Sequence, residues 1–154
     1  MTAFLVLLAA CAAAATTGMI FSPGAWYDAL NRPAWTPPRW AFPVAWTTLY
    51  VLIALSGARI ATLTGPAIQG VGLALSLWAL QIALNTFWTP TFFGAHRIDV
   101  ALVVMVALWI VVAVMVPVFW RLDRLAGLLL LPYLGWLSLA GALNFQIWRN
   151  NPAG

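Results

Sequence analysis

WYDALNRPAWTPPRWAFPVAW, residues 26–46, is the stretch whose reading decides the fold. Pro33, Pro37 and Pro38 each lack a backbone N–H and push the preceding residue away from the helical region. Asn31 to Pro43 therefore cannot be one regular helix, and residues 22–42 are expected to form a stiff loop. A solvated linker would be rich in Gly and Ser. This loop instead carries Trp35 and Trp40, whose flat, amphipathic rings suit a membrane interface or a lid over a cavity.

On either side of the loop the chain is apolar. Of its 154 residues 64% are hydrophobic and 6% charged, against roughly 25% charged in a soluble domain. The charged residues are seven arginines and three aspartates, with neither Lys nor Glu, and they fall in clusters separated by apolar runs. Each run is about one bilayer long at ~20 residues per span. The expectation is a single all-α membrane domain over residues 1–154, a compact bundle of five transmembrane helices with a long Trp/Pro-rich first loop. A net charge of +4 would suggest nucleic acid in a soluble chain, but these arginines form no run. They are read as lipid contacts and topology signals, and no nucleic-acid partner is expected.

Outward from the loop, the spans are expected at about 3–21, 43–63, 66–88, 98–120 and 125–148. Leu8-Ala9-Ala10-Cys11 resembles a lipoprotein cleavage box. However, no basic residue precedes it and the apolar run continues to Phe21, as a retained helix would. Cys11 is the only cysteine, which leaves no disulfide framework. Thr64-Gly65-Pro66 reads as a turn, span three is expected to end before Pro90, and Asp99 suits the first turn of span four, at the positive end of the helix dipole. The long loop and the C-terminus then share one side. Arg32, Arg39, Arg97 and Arg149 lie there against Arg59, Arg121 and Arg124 opposite, a slight lean toward a cytoplasmic C-terminus.

The tryptophans are less evenly divided. Trp26, Trp35, Trp40, Trp46, Trp88 and Trp148 map to the loop side, and Trp120 alone to the other end. A thick interfacial belt would account for some of this; a built aromatic structure would account for all of it. Polar residues within the spans point to the same half. At 100° per residue, Gly70, Ala74, Gln81, Asn85 and Trp88 share one stripe of span three, and Tyr133, Trp136, Ala140, Asn144 and Ile147 one face of span five. Amides inside a membrane face the bundle and find partners. Asn85 and Asn144 are thus expected either to bridge helices or to line a cavity walled by Trp46 and Trp136, and the two readings are compatible.

Some chemistry is disfavoured. A proton-coupled exporter needs an ionisable group within the membrane, whereas Asp28, Asp99 and Asp123 fall in loops or at helix ends and His96 in a turn. There is no Ser-His-Asp set, HExxH or cysteine cluster for hydrolysis or metal binding, so no metal and no resident cofactor are expected.

Three segments carry a resemblance: Trp26-Tyr27-x-x-Leu30-x-Arg32-Pro33-x-Trp35-x-Pro37-Pro38, Gln81–Pro90 (QIALNTFWTP), and Leu131-Pro132-Tyr133-x-x-Trp136 followed by Leu143-Asn144-Phe145-x-x-Trp148-Arg149. In this order on five spans they resemble the translocator protein family, the tryptophan-rich sensory proteins of bacteria and their mitochondrial relatives. The resemblance implies a dimeric bundle that binds porphyrins, haem-pathway intermediates and sterols beneath the first loop. It implies a pocket of Tyr27, Trp46, Asn85, Trp136 and Ala140, to which Tyr50, Trp88, Leu143 and Asn144 are added here. Arg32, Trp35 and Arg39 of the lid would steer an anionic ligand. The family's sterol motif survives only in part, with Leu143 and Arg149 kept and Phe145 in place of the central tyrosine.

Two functions follow from the resemblance. One is a receptor or transporter-like protein that binds porphyrin in a regulatory or sensing role. The other is an enzyme that oxidises bound porphyrin in light, with Trp46 and Trp136 as candidate catalytic residues. Assembly has its own signal. Gly72, Ser76, Ala79 and Ala83 lie on span three opposite Gln81 and Asn85, where small residues would let a second copy, or a neighbouring helix, approach closely. The sequence leaves open whether a cytoplasmic or an outer membrane holds the protein.

Overall fold

In the computed structural model, which describes residues 1–65 and 68–152, five apolar helical stretches are long enough to cross a membrane. The first is α1, Thr2–Ile20. A short helix α2, Ala25–Ala29, interrupts the loop before α3, Ala41–Ala61. The third span is α4, Ile68–Thr89, prolonged by a π-helical turn over Pro90–Gly94. The fourth is α5, Ile98–Leu122. The fifth is broken into α6, Arg124–Leu129, and α7, Leu131–Asn150.

Three boundaries differ from expectation for local physical reasons, and the expected start of span three at Pro66 lies outside the described residues. The loop is not wholly irregular, because residues 25–29 precede the first restrictive proline and close one helical turn. Pro90 does not end span three. The helix runs on as a π-helical turn, in which the Ala95 N–H reaches back five residues to the Pro90 carbonyl at 2.8 Å. The fifth span breaks at Leu130 because Pro132 has no N–H for the Leu128 carbonyl. The Leu130 N–H closes the α6 end instead, on the Gly127 carbonyl at 3.2 Å.

The spans close into a ring: α1 packs on α3 and α4, α4 on α5, α5 on α6 and α7, and these return to α3. Spacing on α5 shows why it is central. Met105, Leu108, Val112, Met115 and Phe119 recur every three or four residues and are buried, while Val103, Val106, Ile110 and Val114 face outward. Between helices in lipid the apolar surface gains nothing by leaving water, so close packing and interhelical hydrogen bonds hold the bundle. Glycines permit two of these approaches. A Cβ on Gly57 would stand 2.7 Å from Trp78 Nε1, which donates to the Ile53 carbonyl at 3.0 Å. A Cβ on Gly127 would stand 2.8 Å from the Trp120 backbone.

The two ends of the ring are fastened differently. At the end away from the long loop, Arg59 donates to both oxygens of Asp123 at 3.0 and 2.7 Å, and Asp123 caps α6 through the Ala126 N–H at 2.8 Å. Ser56 adds a buried bond to the Ala126 carbonyl at 2.8 Å. At the loop end, the Asn31 N–H donates to Asn151 Oδ1 at 3.1 Å and the Asn31 carbonyl accepts from Asn150 at 3.1 Å. The first loop is therefore moored to the end of α7.

Candidate ligand-binding site

A chain of side-chain hydrogen bonds crosses the bundle from α3 to α4 to α7. The Tyr50 hydroxyl donates to Asn85 Oδ1 at 2.9 Å, and Asn85 Nδ2 donates to the Tyr133 hydroxyl at 3.0 Å. Tyr133 then donates to Gln81 Oε1 at 3.0 Å. The Tyr133 hydroxyl both accepts and donates, and the chain ends at Gln81 Nε2, which is buried without a protein partner. A second set lies nearer the loop. Trp88 Nε1 donates to Asn144 Oδ1 at 3.1 Å, and Asn144 Nδ2 donates to the Ile98 carbonyl at 3.1 Å. Both asparagines thus bridge helices, but in separate sets, with Asn144 level with Trp88 and not with Asn85.

Aromatic rings wall the first set. Trp46 lies 5.4 Å from Tyr50 and 6.2 Å from Tyr133, centroid to centroid. Trp136 meets Phe42 edge to face at 5.7 Å, and its indole Nε1 is the second buried donor without a partner. Among the described residues these are the two buried side-chain donors without a protein partner, and a buried N–H left unpaired costs about 1–3 kcal/mol. Trp136 also lines an outward-facing apolar groove of about 400 Å³ between α3 and α7, with Ala45, Leu49, Pro132 and Leu139.

Above this region, the π-helical turn aims Phe92 and Phe93 at the loop. Tyr27 packs against them at 6.2 and 5.4 Å, and Trp26 stacks on His96 at 4.1 Å. His96 holds a left-handed backbone with φ 56°. Tyr27, Phe92, Ile98, Leu143 and Ile147 form a small cluster apart from the main core, and Trp88 packs against both. The surface of the loop carries an open concavity of about 420 Å³ lined by Arg32, Arg39, Leu30 and the three prolines Pro33, Pro37 and Pro38. Asp28 stands beside both arginines. Its carboxyl is held below the ordinary carboxylate range, chiefly by the hydrogen bond from Arg39.

The expected site residues therefore separate into levels. Trp46, Tyr50 and Asn85 are joined by ring contact and hydrogen bond, Trp136 and Ala140 pack against the main core from α7, and Tyr27, Trp88, Leu143 and Asn144 gather one level nearer the loop. Arg32 and Arg39 share the loop concavity, while Trp35 is 49% exposed and Trp40 69% exposed. The rings that the loop turns inward are Trp26 and Tyr27. The three sterol-motif positions do not share a face: Leu143 is buried, whereas Phe145 is exposed with the Arg149 guanidinium 5.9 Å from its ring. Gly72, Ser76, Ala79 and Ala83 are all exposed on α4, on the side away from buried Gln81 and Asn85.

Sequence reasoning passed over Gln81 and Tyr133 as site residues, although i, i+4 spacing from Asn85 and the shared face with Trp136 pointed to them. It also passed over Phe92 and Phe93, hidden behind Pro90 read as a stop, and Phe42 and Asp28.

Five apolar helices of this length define an integral multi-pass membrane protein. The TspO/MBR family model matches residues 3–149, and the chain belongs to that family. It is 52% identical over 152 residues to protein CrtK of Rhodobacter capsulatus, covering 99% of this chain and 94% of that one. It is 49% identical over 148 residues to a tryptophan-rich sensory protein of Cereibacter sphaeroides, with 96% and 90% covered. The pig translocator protein is 38% identical over 126 residues, with 82% and 75% covered.

Proposed function

We propose that this protein binds a flat, carboxylate-bearing tetrapyrrole, a porphyrin or haem-pathway intermediate, in the loop-side half of the bundle and reports its presence in a regulatory or stress-sensing role. The reading rests on one observation above all. Gln81 Nε2, on the amide bonded to Tyr133 whose ring lies 6.2 Å from Trp46, and Trp136 Nε1, whose ring meets Phe42, are buried donors without protein partners. A porphyrin supplies what this region lacks, a wide π-face for indole stacking and ring or carboxylate acceptors for the two donors. Its carboxylates would be drawn by Arg32 and Arg39, whose charge favours the anion outside the apolar interior. Entry requires Trp136, Phe42 and the loop to move apart. Sterols and membrane lipids are further ligands of the same apolar character, and the exposed small-residue face of α4 would seat a second copy in a homodimer.

A second reading is favoured by the position of Trp46 between two tyrosines, 5.4 and 6.2 Å away. In light, Trp46 or Trp136 would give an electron to excited porphyrin, and dissolved dioxygen, as the oxidant, would take up electrons from the resulting porphyrin radical and attack the macrocycle, making the protein a porphyrin-degrading enzyme. Tryptophan fluorescence titrated with a dicarboxylic porphyrin in the dark, then followed under illumination, tests both. Saturable quenching with unchanged porphyrin absorption in light supports the sensor. Loss of the porphyrin spectrum with new products supports the enzyme, and no saturable quenching overturns both.

A further inference from the structure

Two cations line the loop concavity, and Asp28, outside its lining, already answers them. Arg39 Nη2 donates to Asp28 Oδ1, and Arg32 Nη2 lies 3.9 Å from the same oxygen. The two guanidinium groups carry ten N–H donors between them, and a single carboxylate leaves one net positive charge and most of those donors unmatched. The arginines are held unequally. Arg32 sits 4.8 Å over the ring of buried Tyr27, which fixes it to the bundle through Phe92 and Phe93. Arg39, its side chain 65% exposed, follows the stiff Pro37–Pro38 pair. Its Asp28 contact is what ties this arm of the loop back to α2.

We propose that the concavity is a carboxylate subsite in which Asp28 is a built-in competitor, so that Asp28 sets how strongly the protein prefers an acidic ligand to its neutral counterpart. The inference rests on the porphyrin-binding reading and names a specificity-determining residue for it. The incoming group is the carboxylate of an amphiphile whose apolar body lies toward the bundle. As that carboxylate takes Arg39, Asp28 is released to water and the loop arm loses its tie to α2 while gaining one to the ligand. The exchange swaps one ion pair for another in an exposed place, so its reach is limited by the small worth of exposed pairs. Asp28 therefore tunes selectivity and does not decide whether ligand binds.

The test uses the full chain in zwitterionic nanodiscs and two probes, a dicarboxylic porphyrin and its dimethyl ester, titrated by tryptophan quenching in the dark. Asp28→Asn is expected to tighten the acid about 2- to 5-fold, the range an exposed charge pair yields, and to leave the ester unchanged. The gain should vanish in the Asp28→Asn, Arg39→Gln double variant and shrink at ~1 M salt, where the screening length is about 3 Å. Repeating the titration in nanodiscs rich in anionic lipid separates two sources of the same chemistry. A gain that persists assigns the subsite to the ligand's own carboxylate, and one that disappears assigns it to a lipid headgroup. An acid affinity unmoved by Asp28→Asn, or acid and ester moved equally, would overturn the inference while ester binding leaves the pocket standing. If the wild type binds neither probe, the porphyrin reading falls and the subsite with it.

Discussion

The Tyr133 hydroxyl stands between Asn85 and Gln81, accepting from one at 3.0 Å and donating to the other at 3.0 Å. It is the only member of the chain with a bond on each side that a single atom provides. Tyr133→Phe therefore strips Asn85 Nδ2 and Gln81 Oε1 of partners at once, whereas Tyr50→Phe frees only Asn85 Oδ1. With each buried orphan costing about 1–3 kcal/mol, Tyr133→Phe should lower the melting temperature in detergent clearly more than Tyr50→Phe. Equal losses would mean that the hydrogen-bond chain does not hold the helices together.

Trp136 combines a large ring with an unpaired N–H. Trp136→Ala should weaken porphyrin binding by roughly 1–3 kcal/mol, the range for one aromatic platform under a stacked base-like ring. That is about 5- to 150-fold in affinity. Unchanged affinity in a folded variant would remove Trp136 from the site.

At the opposite end, Asp123 supports the fold through Arg59 and the α6 cap. Its carboxyl is held below the ordinary range, first by the Arg59 hydrogen bonds. A depressed folded value means that the stabilisation is complete above the unfolded value of about 3.9 and is lost as pH falls through the lower folded value. The wild type should thus keep this contribution from pH 8 to about 5 and shed it below about 4. Asp123→Ala should cost about 1–2 kcal/mol at pH 7, mostly through the cap, since the Arg59 side chain is 44% exposed and such pairs contribute little. Thermal unfolding from pH 3 to 8 should show the two proteins converging in acid; a constant gap would contradict this assignment.

Ala79 and Ala83 are exposed on α4, on the side away from Gln81 and Asn85. Ala79→Leu with Ala83→Leu adds bulk where a second copy would approach, and should turn a dimer into a monomer in detergent with ligand affinity retained. A variant that stays dimeric would refute this interface. One that stays dimeric and loses ligand would place the bulk in the pocket.

The five spans were legible because runs of apolar residues and the sparse arginines leave few alternatives, and Asn85 and Asn144 were legible because a buried amide must find a partner. Proline chemistry was harder to read. Pro90 and Pro132 have the same missing N–H, yet span three runs past one in a π-helical turn and the fifth span breaks just before the other, a difference that helical periodicity does not carry. Partner choice was likewise hidden. Helical periodicity places Asn85, Asn144, Tyr133 and Gln81 on inner faces, but it carries no information on the relative heights of α4 and α7, which decide that Asn85 meets Tyr133 and Asn144 meets Trp88. Trp35 and Trp40 suggested a lid or an interface, but both are exposed, and the inward rings are Trp26 and Tyr27 because α2 turns them onto Phe92 and Phe93.

The central claim is that a ligand acceptor meets the unpaired donor of Trp136, and indole ¹⁵N–¹H NMR of the detergent-solubilised protein reads that hydrogen directly. Trp78 supplies an internal reference, since its N–H already donates to the Ile53 carbonyl. On adding a dicarboxylic porphyrin, the Trp136 N–H resonance should move saturably downfield, as a newly formed hydrogen bond requires, with the Trp78 resonance nearly still. A Trp136 resonance that stays in place at saturating porphyrin would contradict the account.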